Sequence, residues 1–279
     1  MSVLELSEYA YHADMISNER PSLSRSIIQK LIQKSPAHAK TAHPRLNPLW
    51  EPETKKAFDV GTVCHQLLLD GAAGVQVIHA DNWKSPKTRE KGEEARAHGM
   101  IPLLEHEWES VQAMMTAVRS KIGDDYFSGG DHELTLAWED DGVLCRARVD
   151  YLSADRRVIR DFKTSSNAEP FKFSRGSFFD HGYDLQDAWY RRGVRACFGV
   201  DATFELVVAE KDAPYESIVF DSDPATAALA NEKIEWALAV WKRCLETGEW
   251  PGYDTRTHSV SPRPWDEEQW YRRTEAVAA

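Results

Sequence analysis

The chain predicts an α/β fold in which a mixed central β-sheet is flanked by helices. Three observations carry that expectation. Residues 133–163 alternate apolar and polar side chains with a period of two, broken by an Asp-Asp-Gly turn. The segments on either side, "EHEWESVQAMMTAVRSKIG" and "YDLQDAWYRRGVRACFG", carry the helical period and end on glycine. Two further strand-like runs, "ATFELVVAE" and "ESIVF", then precede a long helical pattern.

The elements follow in order. "SLSRSIIQKLIQKSP" is a short helix, with Ser22 or Ser24 as cap, Ile27, Ile28, Leu31 and Ile32 as its apolar side, and Pro36 as its stop. A Pro-rich loop, "AHPRLNPLWEPE", leads to a helix over "KKAFDVGTVCHQLLLDG" that Gly71 closes. "GVQVIH" is a short strand, and a helix then runs to Gly123. Three strands follow, over 133–138, 143–152 and 157–163, with the tight turn at Asp140–Gly142. After a loop comes a helix over 183–197, then two strands across "KDAPY". The last helix has Asp223 as cap, Pro224 in its first turn and Gly248 as its stop. The tail after Pro251 is polar, and irregular structure is expected there. The whole is expected to be one domain: a helical part over about 1–125, an α/β core over about 126–250, and the tail 251–279.

Composition narrows the function. With 279 residues, 42% hydrophobic, 28% charged and 10 Trp, the chain can build a large core. No apolar stretch approaches the roughly 20 residues a membrane helix needs, and "MSVLELSEYAYHAD" lacks the pattern of a secretory signal. A cytoplasmic protein without a membrane partner is expected. Cys64, Cys145, Cys197 and Cys244 form no close pair, so no iron–sulfur cluster is expected and reduced thiols are. A net charge of −11 argues against a uniformly basic coat for nucleic acid. It leaves room for a local basic channel, because residues 133–195 hold 11 basic and 11 acidic side chains.

Strand parity then gathers a constellation. Arg146, Arg148 and Asp150 share one face of the second strand, and Ile159, Asp161 and Lys163 one face of the third. Joined by the short "SADRR" turn, these strands can bring Asp150 and Asp161 to one cleft. Two converging carboxylates repel and need a cation between them, and hard oxygen donors suit Mg²⁺ or Mn²⁺. Lys163 could there hold a water or a developing anion, an arrangement suited to metal-assisted hydrolysis of a phosphodiester. The bland alternative is equally open: surface carboxylates paired with Arg148 and Lys163. Gln186 and Tyr190 lie four apart on one helix face, as a polar edge or an amphipathic boundary. His65 follows Gly61 by one turn and is either a core histidine or a ligand.

Taken together, "GTVCH" at 61–65, Asp150, "DFK" at 161–163 and "QDAWY" at 186–190 resemble the PD-(D/E)xK nuclease superfamily in its RecB-like branch. Within it the chain resembles the phage and prophage exonuclease VIII (RecE-type) nuclease domain. "SLSRSIIQKLIQKSPAH", "GTVCHQLLLDG", "GVLCRARVDYL", "DFKTSSNAEPFKF" and "YDLQDAWY" stand in that family's order over roughly residues 20–220. The resemblance implies a restriction-endonuclease-like core. It implies that Asp150, Asp161, His65 and the Phe162 carbonyl hold metal, that Lys163 activates water, and that Gln186 and Tyr190 position the strand or support the metal. Val149 replaces the family's proline before the first acid, and the second acid is Asp. Lesser candidates are Glu133 for the metal, Arg148 for a phosphate, Thr164 for a hydrogen bond into the site, and Ser24 with Arg25 for a terminal phosphate.

The activity so implied is Mg²⁺-dependent 5′→3′ exonucleolytic cleavage of linear double-stranded DNA in phage-type recombination, in a bacterial or phage-infected cell. A single-strand annealing protein and a ring-like homo-oligomer are implied with it. The alternatives are a Cas4-like or other RecB-family end-processing nuclease, and an inactive DNA-binding module on the same fold.

Overall fold

A seven-stranded mixed sheet forms the centre of the protein, in a computed structural model that describes residues 2–52, 59–71 and 73–278. Its elements in chain order are β1 (Ser2–Leu4), α1 (Glu8–His12), β2 (Leu23–Ser24), α2 (Arg25–Gln33), α3 (Pro36–Ala42), α4 (Asp59–Leu69), β3 (Val75–Ile78), α5 (Pro86–Ala97), β4 (Ile101–Leu104) and α6 (Glu105–Ile122). The second half holds β5 (Gly130–Asp140), β6 (Val143–Ser153), β7 (Val158–Ser165), α7 (Pro170–Arg175), α8 (Ser177–Asp180), α9 (Tyr183–Phe198), β8 (Thr203–Glu210), β9 (Ser217–Phe220), α10 (Pro224–Thr247) and α11 (Pro264–Ala278).

The sheet order is β1-β5-β6-β7-β8-β9. β5, β6 and β7 form the expected antiparallel meander, and the β5–β6 turn has positive φ at Asp141 and Gly142 (47° and 78°), as a type I′ hairpin requires. β8 returns parallel to β7 after α9 crosses the sheet, and β9 is antiparallel to β8. The mixed sheet of the sequence expectation is therefore present. β3 and β4 form a separate two-stranded parallel sheet.

β8 shows how the layers close. Leu206 and Val208 face one core with α2, α9 and α10, whereas Val207 and Ala209 face a second core with α4 and α6. Both faces of the strand are covered, as its unbroken apolar run requires. Trp138, Trp189 and Trp241 are fully buried in the first core, and Trp138 packs on Trp189 at 4.7 Å between ring centroids. Gly193 of α9 makes that packing possible, because a Cβ there would lie 2.9 Å from the Trp138 ring.

Several expectations need correction. The tail is not irregular throughout, since α11 occupies 264–278. Pro36 does not merely stop α2; it opens α3, capped by Ser35. Ser24 sits at the N-cap of α2 without a capping bond, and Ser22 is buried against Asp14 and Arg146 instead. The loop expected after β7 contains α7 and α8. α5 and β4 had no counterpart in the sequence reading. The expected start of the fourth helix, residues 55–58, lies outside the described residues.

Candidate active site

The site forms where the sheet splits. β6 pairs with β7 only at Tyr151–Arg160 and Leu152–Ile159. Beyond those pairs the strands part, and β2 takes the vacated edge of β6 at Cys145 and Arg146. Asp150 and Asp161 are the first residues past the last pair, so the split opens on two carboxylates. On the other side of β6, Glu133 of β5 stands opposite Asp150, between the pairs His132–Tyr151 and Leu134–Val149. Three carboxylates from three adjacent strands thus lie at one level of the sheet. Like charges directly opposite are destabilising in an antiparallel pair. Glu133 also adopts φ +51°, a left-handed conformation that costs a glutamate energy. Strain and repulsion converge at one place.

The surrounding side chains answer that charge. From α4, His65 places Nε2 2.9 Å from Asp150 and Nδ1 3.4 Å from Glu133. Lys163 lies 3.5 Å from Asp150, contacts Asp161, and donates to the Phe162 carbonyl at 3.3 Å. Gln186 of α9 donates its amide to Asp161, and Arg25 of α2 donates to the Gln186 carbonyl oxygen at 2.8 Å. Arg25 is therefore tied to Asp161 through one side chain. Arg148 is committed to Glu133 at 2.5 Å, to the Leu6 carbonyl at 2.8 Å and to Thr135 at 3.2 Å.

Environment drives the carboxylates apart. Burial, then the charge of Asp150, raises Asp161 above the ordinary carboxylate range. Burial would raise Asp150 too, but Lys163 and His65 outweigh it and hold Asp150 well below that range. Burial would lower Lys163 and His65; the facing carboxylates outweigh it and raise both. Tyr190 is raised by burial and then by the charges of Asp161 and Asp150.

The structure brings together His65, Glu133, Asp150, Asp161, Phe162, Lys163, Gln186 and Arg25, whereas Tyr190 packs in the core against Phe204 at 6.2 Å between ring centroids. Arg148 meets the site through Glu133, and Ser24 and Thr164 are turned elsewhere. Ser24 Oγ bonds Ser26 Oγ at 3.0 Å. Thr164 Oγ1 faces Gly61 of α4, 3.6 Å from where a Cβ would stand. That is ordinary van der Waals contact. The links Arg148–Glu133 and Arg25–Gln186 were not foreseen, and no local sequence signal marks either.

The donor set fits a hard divalent cation. His65, Glu133 and Asp150 each offer a ligand atom, all within 4.8 Å of one another. Beside them, buried Asp161 Oδ1 has no partner in hydrogen-bond geometry, although it touches the Lys163 ammonium. Carboxylate oxygens with one imidazole suit Mg²⁺ or Mn²⁺ better than a soft metal.

Two carboxylates on adjoining strands, with a lysine two residues beyond the second, define a PD-(D/E)xK-type core. The family match agrees. The model of the family described as a PDDEXK-like domain of unknown function (DUF3799) matches residues 24–259, and the chain belongs to that family. Among solved structures, the chain resembles a candidate exonuclease from Eubacterium rectale, at 15% identity and a TM-score of 0.64, over 94% of this chain and 96% of that one. That likeness shows the fold. A phage-related exonuclease from Haemophilus somnus 129PT superposes less well, at 12% identity and a TM-score of 0.33, over 82% of this chain and 96% of that one. An alkaline exonuclease from Laribacter hongkongensis gives 13% identity and a TM-score of 0.28, over 81% and 100%. No curated protein matches significantly. Among the described residues, no helix is long and apolar enough to cross a membrane.

Proposed function

We propose that the protein is a metal-dependent deoxyribonuclease that removes nucleotides from the ends of linear double-stranded DNA, 5′→3′, in phage-type recombination. The observation that carries this reading is the row Glu133–Asp150–Asp161, with His65 and Lys163 against it. His65, Glu133, Asp150 and Asp161 would hold Mg²⁺ or Mn²⁺, with the Phe162 carbonyl beside them. When bound, such a cation polarises a phosphoryl oxygen and acidifies water.

The chain's own groups supply the rest. Lys163 presents an ammonium to the reacting phosphate and steadies its developing charge. Gln186 holds Asp161 in one orientation, and Arg148 holds Glu133. Arg25, linked to Gln186, stands where a terminal phosphate could be gripped. An annealing protein as partner and a ring-like homo-oligomer remain part of the reading through the family resemblance.

The test is incubation of linear and covalently closed duplex DNA with Mg²⁺ or Mn²⁺, using wild type and Lys163→Ala. Nucleotide release from linear DNA alone, lost in the variant, supports the reading. Cutting of closed circles makes the protein an endonuclease. No metal-dependent cleavage of any DNA refutes the enzyme and leaves a binding module.

A further inference from the structure

The segment from 166 to 182 leaves β7 three residues after Lys163 and rejoins α9 four residues before Gln186, so both its ends are anchored at the candidate site. It is fastened along its length. The Ala168 amide donates to Glu210 at 2.7 Å, and Glu210 pairs with Ser165 in the sheet. Gln29 and Gln33 of α2 donate to the Asp180 carbonyl, and Arg25 reaches the His181 carbonyl at 3.4 Å. The inner aromatic side chains are spent on packing. Phe173 stacks on Phe220 at 4.7 Å and on Tyr183 at 6.0 Å.

The outer aromatic is not. Phe171 is 60% exposed, and among the described residues its one ring contact is the Arg175 guanidinium, one helical turn on, 4.1 Å from its centroid. Lys172 projects beside it. Among the described residues no carboxylate lies within ion-pair distance of Lys172 or Arg175; Glu169, which feels the Lys172 charge, accepts from the Phe171 and Lys172 amides as the cap of α7. In a chain of net charge −11, an exposed ring bearing a cation, with a second cation adjacent, is an unusual local chemistry. It is the chemistry of single-stranded nucleic-acid binding, in which a base stacks on the ring and cations meet the flanking phosphates. The segment's other exposed ring, Phe179, is 39% exposed and also has a cation near it, Lys233 at 5.9 Å, so both outer rings sit with positive charge as a nucleic-acid surface would have them.

We propose that Phe171, with Arg175 stacked on it, is a platform for an unpaired nucleobase of a DNA strand entering the carboxylate site, and that Lys172 and Arg175 hold the flanking phosphates. The proposal rests on the nuclease reading for the identity of the strand, and it gives the enzyme a grip on unpaired DNA from a segment whose two ends are anchored beside its site.

The test separates binding from cleavage. Fluorescein-labelled oligothymidylate is titrated by anisotropy with the full chain in EDTA, for wild type, Phe171→Ala, Phe171→Trp and Arg175→Ala. A matched strand with abasic positions is titrated alongside, and thermal unfolding of each variant is recorded. The platform predicts binding at least about fivefold weaker in Phe171→Ala, restored in Phe171→Trp, with unchanged thermal stability. It predicts that abasic positions weaken wild type but add little to Phe171→Ala. It predicts a shallower salt dependence, by about one ion, in Arg175→Ala. Wild-type affinity in Phe171→Ala, or no binding of the oligonucleotide by wild type, overturns it. A loss of self-association in Phe171→Ala by ultracentrifugation, with DNA affinity unchanged, makes the occupant a second copy of the chain and overturns it as well. If Mg²⁺ and Mn²⁺ give no nucleotide release while the stacking results hold, the nuclease reading falls and the platform stands.

Discussion

Glu133 and Asp150 stand opposite each other across the β5–β6 ladder, and Glu133 holds φ +51° to be there. A fold shaped for stability alone would not place two carboxylates in register, add Asp161 on the next strand, and strain one of them. On the proposed nuclease reading, the arrangement is stability given up for a cation site.

Asp161 makes that trade measurable. Its folded pKa is raised, so its ionisation disfavours the folded state, and the penalty grows as pH rises through the folded value. Asp161→Asn removes the charge and keeps an acceptor for Gln186. In EDTA at pH 7.5 the variant should be more stable by at least about 1 kcal/mol. Thermal unfolding checks it; a fall in Tm would show that the Lys163 contact outweighs burial and the charge of Asp150.

Metal binding should also be visible without DNA. A ligand that binds only the folded state at about 100 times its Kd stabilises by about 2.7 kcal/mol. Saturating Mn²⁺ should raise the wild-type Tm by several degrees and leave that of Asp150→Asn nearly unmoved. Equal shifts in both proteins would place the cation elsewhere.

Arg25 offers a split between two roles. Arg25→Ala should cut kcat/KM on 5′-phosphorylated duplex about tenfold while barely changing it on 5′-hydroxyl duplex, if the guanidinium grips the phosphate. If it serves only to hold Gln186 against Asp161, both substrates should suffer equally.

Away from the site, His43 sets a pH dependence of stability. It is fully buried, donates Nε2–H to the Ser22 carbonyl at 3.0 Å and accepts from the Arg45 amide on Nδ1 at 3.2 Å. Asp14 lies 3.4 Å away, the Trp241 ring packs at 5.2 Å, and Arg146 adds positive charge. Both ring nitrogens are satisfied in the neutral form. Burial, only partly offset by the Ser22 bond, pushes the imidazole down to about 4. The unfolded chain then binds the proton first, so this contribution is full above pH ~6.5 and is lost as pH falls towards 4, by up to about 3 kcal/mol. Urea unfolding at pH 7.5 and 5 compares the two states. An imidazole titrating near 6.5 by NMR would contradict it.

Two glycines on the helices give opposite predictions. Gly193→Ala drives a Cβ to 2.9 Å from buried Trp138 and should cost about 1–3 kcal/mol despite better helix propensity. Gly61→Ala meets, among the described residues, only Thr164 at 3.6 Å and should be neutral or stabilising by up to about 1 kcal/mol. Chemical denaturation of both variants distinguishes them.

The legible parts of the molecule are those that local chemistry dictates. The Asp-Asp-Gly turn sets the β5–β6 register, and with it the alternation that puts Asp150 on the cleft. Asp223, Pro224 and Gly248 bound α10 as capping rules require. The split between β6 and β7 was not legible, because β2 is two residues long and its pairing is purely tertiary. Nor was the left-handed Glu133, since no local preference puts glutamate there. α11 carries Pro264 in its first turn with Asp266 and Glu267, but Trp265, Trp270 and Tyr271 are exposed. A helix that buries none of these large side chains lacks the amphipathic contrast by which sequence reveals helices. α7 and α8 are too short to show a period.

The central claim is that the carboxylate row across β5, β6 and β7 is a metal-dependent centre that hydrolyses DNA. Release of acid-soluble nucleotide from linear duplex DNA, measured for wild type and Asp150→Asn in Mg²⁺, in Mn²⁺ and in EDTA, tests it most directly. Release by wild type in either metal, none in EDTA, and a loss of a hundredfold or more in Asp150→Asn is the predicted result. Equal release by the two proteins, or release that persists in EDTA, would contradict it.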